Sequence, residues 1–140
     1  VSTYYMNEGA FDLPDDMEVV DRTTHFVRVH RQGHDLTLVV ARAHLPPGGT
    51  LRQVADARVL DEASRLSGYQ VVREAASSWD GCPAIEITST WRHEGRAIYQ
   101  HQAHFAQGSR AMHLALSTSA DGSAAADAWF EEIRGSLRLR

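Results

Sequence analysis

At 140 residues, 43% of them hydrophobic and 23% charged, the chain has the size and make-up of one globular domain that can bury a core without staples. Its net charge of −4 leaves no basic footprint for a phosphate backbone and so argues against nucleic-acid binding. The single Cys82 excludes an internal disulfide, and no run approaches the roughly 20 apolar residues of a membrane span. The opening residues carry no basic stretch followed by an apolar run, so no secretory signal is expected and the cytoplasm is the expected location. All fourteen basic residues are arginine, a bias that GC-rich coding explains more simply than chosen chemistry.

Residues 3–13 alternate apolar and polar and stop at Pro14, which predicts a first strand. A second strand is expected within 17–31, around His25-Phe26-Val27-Arg28-Val29. Gln32-Gly33-His34 then turns the chain into a third strand over 36–43. Pro46-Pro47-Gly48-Gly49 breaks the chain, and Thr50 is placed to cap a helix carrying Leu51, Val54, Ala55, Val59, Ala63 and Leu66. After Ser67-Gly68, strands are expected over 69–76, 84–91, 97–106 and 111–119, with turns at His93-Glu94-Gly95 and Gln107-Gly108-Ser109. An alanine-rich second helix over 123–134 closes with Trp129, Phe130 and Ile133, and the final residues read as extended. No linker or repeat interrupts this order, so residues 1–140 form a single expected domain. The predicted class is α+β: a largely antiparallel sheet with two main helices packed on one face.

Side chains in a strand alternate between the two faces of a sheet, so parity separates two surfaces. Leu36, Leu38 and Val40 oppose Thr37, Val39 and Ala41, while Met112, Leu114 and Leu116 oppose Ala111, His113, Ala115 and Ser117. The first set suits a helix-covered core; the second is small or mildly polar. On the strand over 97–106, Gln100 and Gln102 fall on the same side. A primary amide is neither nucleophile nor base, but it donates and accepts hydrogen bonds, which suits gripping a peptide. On parity alone that second surface reads first as a hydrated sheet face; its functional alternatives are a groove or a dimer contact, which parity does not separate.

Catalytic equipment is not evident. There is no Gly-x-Ser-x-Gly elbow, no Gly-rich phosphate loop and no family signature around Cys82. His101 and His104 point to opposite sides of one strand, as do His25 and His30, so neither pair chelates a metal. The chain is expected to be no enzyme and to hold neither metal nor cofactor.

Several phrases taken in order carry a likeness. They are Met6-Asn7-Glu8-Gly9 with Phe11 and Leu13-Pro14, Asp21-Arg22-Thr23, Leu45-Pro46-Pro47-Gly48 before Leu51, Gly68-Tyr69, Tyr99-Gln100-His101-Gln102 and Ser136-Leu137-Arg138. Together they resemble the DcrB-like family, and more closely its Eag branch, the cytosolic adaptor chaperones of bacterial type VI secretion systems. The resemblance implies a PsbP-like fold and a homodimer. It also implies a partner: the N-terminal hydrophobic, transmembrane-like helices of an effector, often of the Rhs type, shielded until loaded on the VgrG spike. The peptide-binding groove it implies holds Thr24, Phe26, Thr37, Val39 and Ala41 as its floor, with Gln102 and Gln100 supplying hydrogen bonds. Arg58 stands where the family tends to a neutral amide, and Ala41 where a serine is expected. The runner-up reading is a general DcrB-like or PsbP-like protein of the envelope that stabilises some other complex.

Overall fold

Four reversals of two residues each build most of the sheet. The computed structural model describes residues 2–6, 9–13 and 24–139. Strands β3 (Thr24–Arg31) and β4 (His34–His44) are joined through Gln32-Gly33, with φ of 52° and 79°. Positive φ at both central residues defines the type I′ hairpin, whose twist matches that of the strands. The same pattern recurs at Asp80-Gly81 between β5 (Ser67–Trp79) and β6 (Cys82–His93), and at Glu94-Gly95 before β7 (Arg96–Gln107). Gly108 leads the fourth reversal into β8 (Arg110–Ser119). The result is a six-stranded antiparallel sheet in the order β3-β4-β8-β7-β6-β5.

Helix α1 (Leu51–Arg65) links β4 to the far edge strand β5. Its start is the expected Thr50: the Thr50 hydroxyl accepts from the Gln53 amide at 3.2 Å, and the Gln53 side chain accepts from the Thr50 amide at 3.0 Å. This reciprocal box satisfies two N–H groups that a helix otherwise leaves orphaned. A 3-10 turn over Ala120–Gly122 leads into helix α2 (Ser123–Ser136). Near the N-terminus β1 (Ser2–Met6) and β2 (Gly9–Leu13) pair antiparallel, with Met6 opposite Gly9. The expected single strand over 3–13 is therefore a hairpin. A two-residue alternation is blind to a reversal of direction, and the cues to one were Asn7 and Gly9. The parts of the second predicted strand over 17–23 lie outside the described residues.

The helices sit on opposite faces of the sheet, not on one. Tyr99 and His101 of β7 bond to Asp127 of α2, whereas Gln102 of the same strand bonds to Glu62 of α1. Since 101 and 102 point to opposite faces, α1 and α2 must flank the sheet. The core lies under α2, where Leu36, Leu38, Leu114 and Leu116 meet Trp79, Phe105, Ala126 and Phe130. Trp79 stacks on Phe105 at 5.6 Å and meets Phe130 edge-on at 5.1 Å. Helix α1 docks far more lightly. Its buried residues are Ala55 and Glu62, and Ala63 of the predicted apolar stripe is exposed.

Candidate peptide-binding face

All eight predicted groove residues belong to the α1 side of the molecule. Cross-strand partners share a face, and the ladders run Phe26–Val39–Ala115–Gln102, Thr24–Ala41–His113–His104 and Thr37–Ser117–Gln100. Arg58 reaches this side from α1, where it bonds Glu62. Because α1 rests over β5, β6 and β7, no helix among the described residues rests over the part of the face carried by β3 and β4. There Phe26 is 71% exposed on the edge strand, Thr24 is exposed, and Thr37, Val39 and Ala41 are half-buried.

The two glutamines do not line that surface. Gln102 is fully buried and Gln100 is 8% exposed. Gln102 Nε2 donates to Glu62 Oε2 at 3.3 Å, and its Oε1 accepts from His104 Nε2 at 3.1 Å and His113 Nε2 at 2.8 Å. Arg58 Nε in turn donates to Glu62 Oε1 at 3.0 Å. Gln102 is thus the hub that fastens α1 to the sheet, so the expectation that its amide grips a peptide directly is corrected. Gln100 keeps a buried carbonyl oxygen without a hydrogen-bond partner among the described residues.

Burial explains the charge state of this hub. It holds His104 down to about 4, helped by the Arg58 charge, and His113 down to about 2, helped by His104 and Arg58. Both rings are neutral at pH 7, and they stack with centroids 4.6 Å apart. Sequence reasoning missed His104, His113 and Glu62. Parity already put both histidines on the side of Gln102, and Glu62 interrupts the apolar stripe of α1 one turn after Arg58.

A second polar chain lies under α2. His101 Nε2 meets Glu86 Oε1 at 2.8 Å, and its Nδ1 meets Asp127 Oδ1 at 2.9 Å. Tyr99 donates to the same Asp127 oxygen at 2.6 Å, and the Phe130 ring stacks on His101 at 3.9 Å. Burial alone would raise Glu86, but hydrogen bonds from His101, Ser77 and Trp79 outweigh it and hold the carboxyl at about 2. Burial, then the bond to Asp127, pushes the Tyr99 phenol up. Their partners place these groups as anchors of α2. Among the described residues no three His, Cys, Asp or Glu side chains are placed to hold a metal ion. Among the same residues no helix is long and apolar enough to cross a membrane.

The family model described as DcrB matches residues 8–136. Three solved structures share the fold. The protein of unknown function PA94 from Pseudomonas aeruginosa has a TM-score of 0.75 at 17% identity, over 99% of this chain and 96% of that one. LpqN of Mycobacterium tuberculosis, described as involved in cell envelope biogenesis, has a TM-score of 0.62 at 14% identity, over 84% and 80%. The cyanobacterial PsbP of Synechocystis sp. PCC 6803 has a TM-score of 0.59 at 11% identity, over 92% and 98%, which supports the PsbP-like architecture. No curated protein matches the chain.

Proposed function

We propose that this chain, which belongs to the DcrB family, is a non-catalytic chaperone for an apolar segment, held across β3, β4 and β8 beside α1. The partner is the N-terminal, transmembrane-like part of a type VI secretion effector, of the Rhs type. The chaperone works as a cytoplasmic homodimer that keeps this segment covered until the effector is loaded on its VgrG spike. The observation that carries the reading is the uncovered strip of sheet where Phe26, 71% exposed, adjoins Val39 and Ala41. An apolar helix loose in water aggregates or inserts prematurely; laying its side against such a strip follows the helix-in-groove mode. Three strands spaced by about 4.8 Å offer a width of roughly 10 Å, the diameter of one helix.

The test is co-expression of this protein with the N-terminal segment of the effector encoded beside it, long enough for two spans of about 20 residues each. Capture of the segment by wild type, and its loss with Val39→Asp, is the expected result. A segment that stays soluble alone and is not captured refutes the reading. The likeness to LpqN favours one alternative, a DcrB-like role in the envelope without an effector. Recovery of the native protein in the envelope fraction, with no effector attached, decides for it.

A further inference from the structure

Between α1 and strands β4, β7 and β8 lies a cleft of ≈400 Å³, and Ala41 belongs both to it and to the predicted groove. Ala41, Val54, Ala57 and Ala111 give it apolar walls, and the His104 and His113 rings also line it. Burial keeps both rings neutral at pH 7, so the charge of the cleft comes from Arg42, Arg58 and Asp61.

These three charges are not equivalent. Asp61 accepts from Arg65 Nε at 3.0 Å, and both side chains are more than half exposed, so its repulsion of another anion is offset by its partner and screened by water. Arg42 adds positive charge and already has a partner. Arg58 is held at one edge: its Nε donates at 3.0 Å to Glu62, which is 2% exposed and fastened in turn to Gln102. Among the described residues its two terminal amino groups have no partner, and the side chain is 41% exposed, within reach of a ligand. The guanidinium is therefore oriented by a buried bond while its other edge, with two parallel N–H donors, stays open. Glu62 does not cancel its charge inside the cleft, because Arg58 still disfavours protonation of both His104 and His113.

The complement of an oriented fork beside apolar walls is a planar anion on an apolar body. A carboxylate presents two acceptors at the spacing of the fork. A cation meets Arg42 and Arg58, and no cluster among the described residues holds a metal. A phosphate carries more charge and must shed more water against the alanine and valine walls.

We propose that this cleft binds a small organic acid, its carboxylate paired with the terminal amino groups of Arg58 and its apolar body against the alanine and valine walls. The acid is a free molecule rather than part of a segment in the groove, since a transmembrane-like helix rarely carries an acidic side chain. The site goes beyond the chaperone reading and stands without it.

The experiment titrates the full chain at neutral pH, in parallel, with benzoate, benzyl alcohol and benzylamine, which share an aryl body and carry a negative, no and a positive charge. Binding is read from ¹H–¹⁵N spectra that include the Arg58 guanidinium. The expected result is saturable binding of benzoate, at least tenfold tighter than of the alcohol or the amine, with a shift of the Arg58 signal. Arg58→Gln keeps a donor for Glu62 but loses the charge, and should bring benzoate down to the level of the alcohol. An alcohol or amine bound as tightly as benzoate, an unmoved Arg58 signal, or no saturable binding of benzoate overturns the proposal, and wild type alone decides these. A folded Arg58→Gln protein that still prefers benzoate overturns it as well. No effector enters the titration, so a failed capture of the effector leaves it intact and the two readings fall separately.

Discussion

Replacing Gln102 by leucine tests whether the glutamine is a structural hub rather than a gripping residue. Leucine has a similar volume, so the change removes hydrogen bonds with little cavity. Three groups lose a partner at once: Glu62 Oε2, His104 Nε2 and His113 Nε2. Glu62 is 2% exposed and His104 1% exposed, so water does not replace what is lost. At about 1–3 kcal/mol for each buried group left unsatisfied, and with Glu62 still held by Arg58, the expected destabilisation is about 3–6 kcal/mol. That is a large part of the 5–15 kcal/mol typical of a whole domain. Urea unfolding followed by far-ultraviolet circular dichroism measures it as a fall in midpoint at constant slope. Phe26→Ala, at an exposed position, should change stability by no more than about 0.5 kcal/mol in the same assay. A Gln102→Leu protein within about 1 kcal/mol of wild type would refute the hub.

Three further outcomes follow from the same geometry. Val39→Asp should fold but lose the co-expressed effector segment, because burying an unpaired carboxylate under a helix costs several kcal/mol, roughly the desolvation of one charge; retained capture in a pull-down refutes the groove. Acid should weaken the fold early: His104 and His113 bind protons less readily folded than unfolded, so their neutral-state stabilisation is full above pH 6.5 and is lost as pH falls toward about 4 and about 2. For His104 alone, 1.36 kcal/mol per pH unit over that range gives about 3 kcal/mol, and a urea midpoint unchanged between pH 7 and pH 4.5 contradicts it. Glu86, held at about 2 against an ordinary 4.5, adds its own loss only below pH 4.5. Phe130→Ala should cost about 3–5 kcal/mol in thermal or urea unfolding, since Phe130 is fully buried against Trp79 and His101.

The parts of the fold legible in the sequence are those governed by local rules. Gly33, Gly81 and Gly95 mark three hairpin turns, and Thr50 with Gln53 marks the start of α1. Parity put the predicted groove residues of the strands on one face, as the ladders have them, because a single period fixes it along each strand. Two things were not legible. Which helix covers which face depends on crossovers between distant elements, and α1, with only Ala55 and Glu62 buried, carries too weak an apolar stripe to declare its side. The burial of Gln102 was hidden because its partners come from positions 62, 104 and 113, on three separate elements. A polar residue announces hydrogen-bonding capacity but not where its partners stand, so Gln102 looked like a gripping residue.

The polar docking of α1 has a consequence for the exposed strip. A helix held by apolar surface alone gains by covering as much of a sheet as it can reach, since that attraction has no direction. A buried hydrogen-bond network is directional, and moving any member leaves the others unsatisfied. Glu62 is tied to Gln102 on β7, and Arg52 to Glu74 on β5, so α1 is pinned over the far half of the sheet at both ends. Sliding toward β3 to cover Phe26 and Val39 would break the buried bond to gain the area of two side chains, at roughly 25 cal/mol per Å². The burial of Gln102 and the exposure of Phe26 then have one cause: the network that takes the glutamine out of solvent is what holds α1 away from β3.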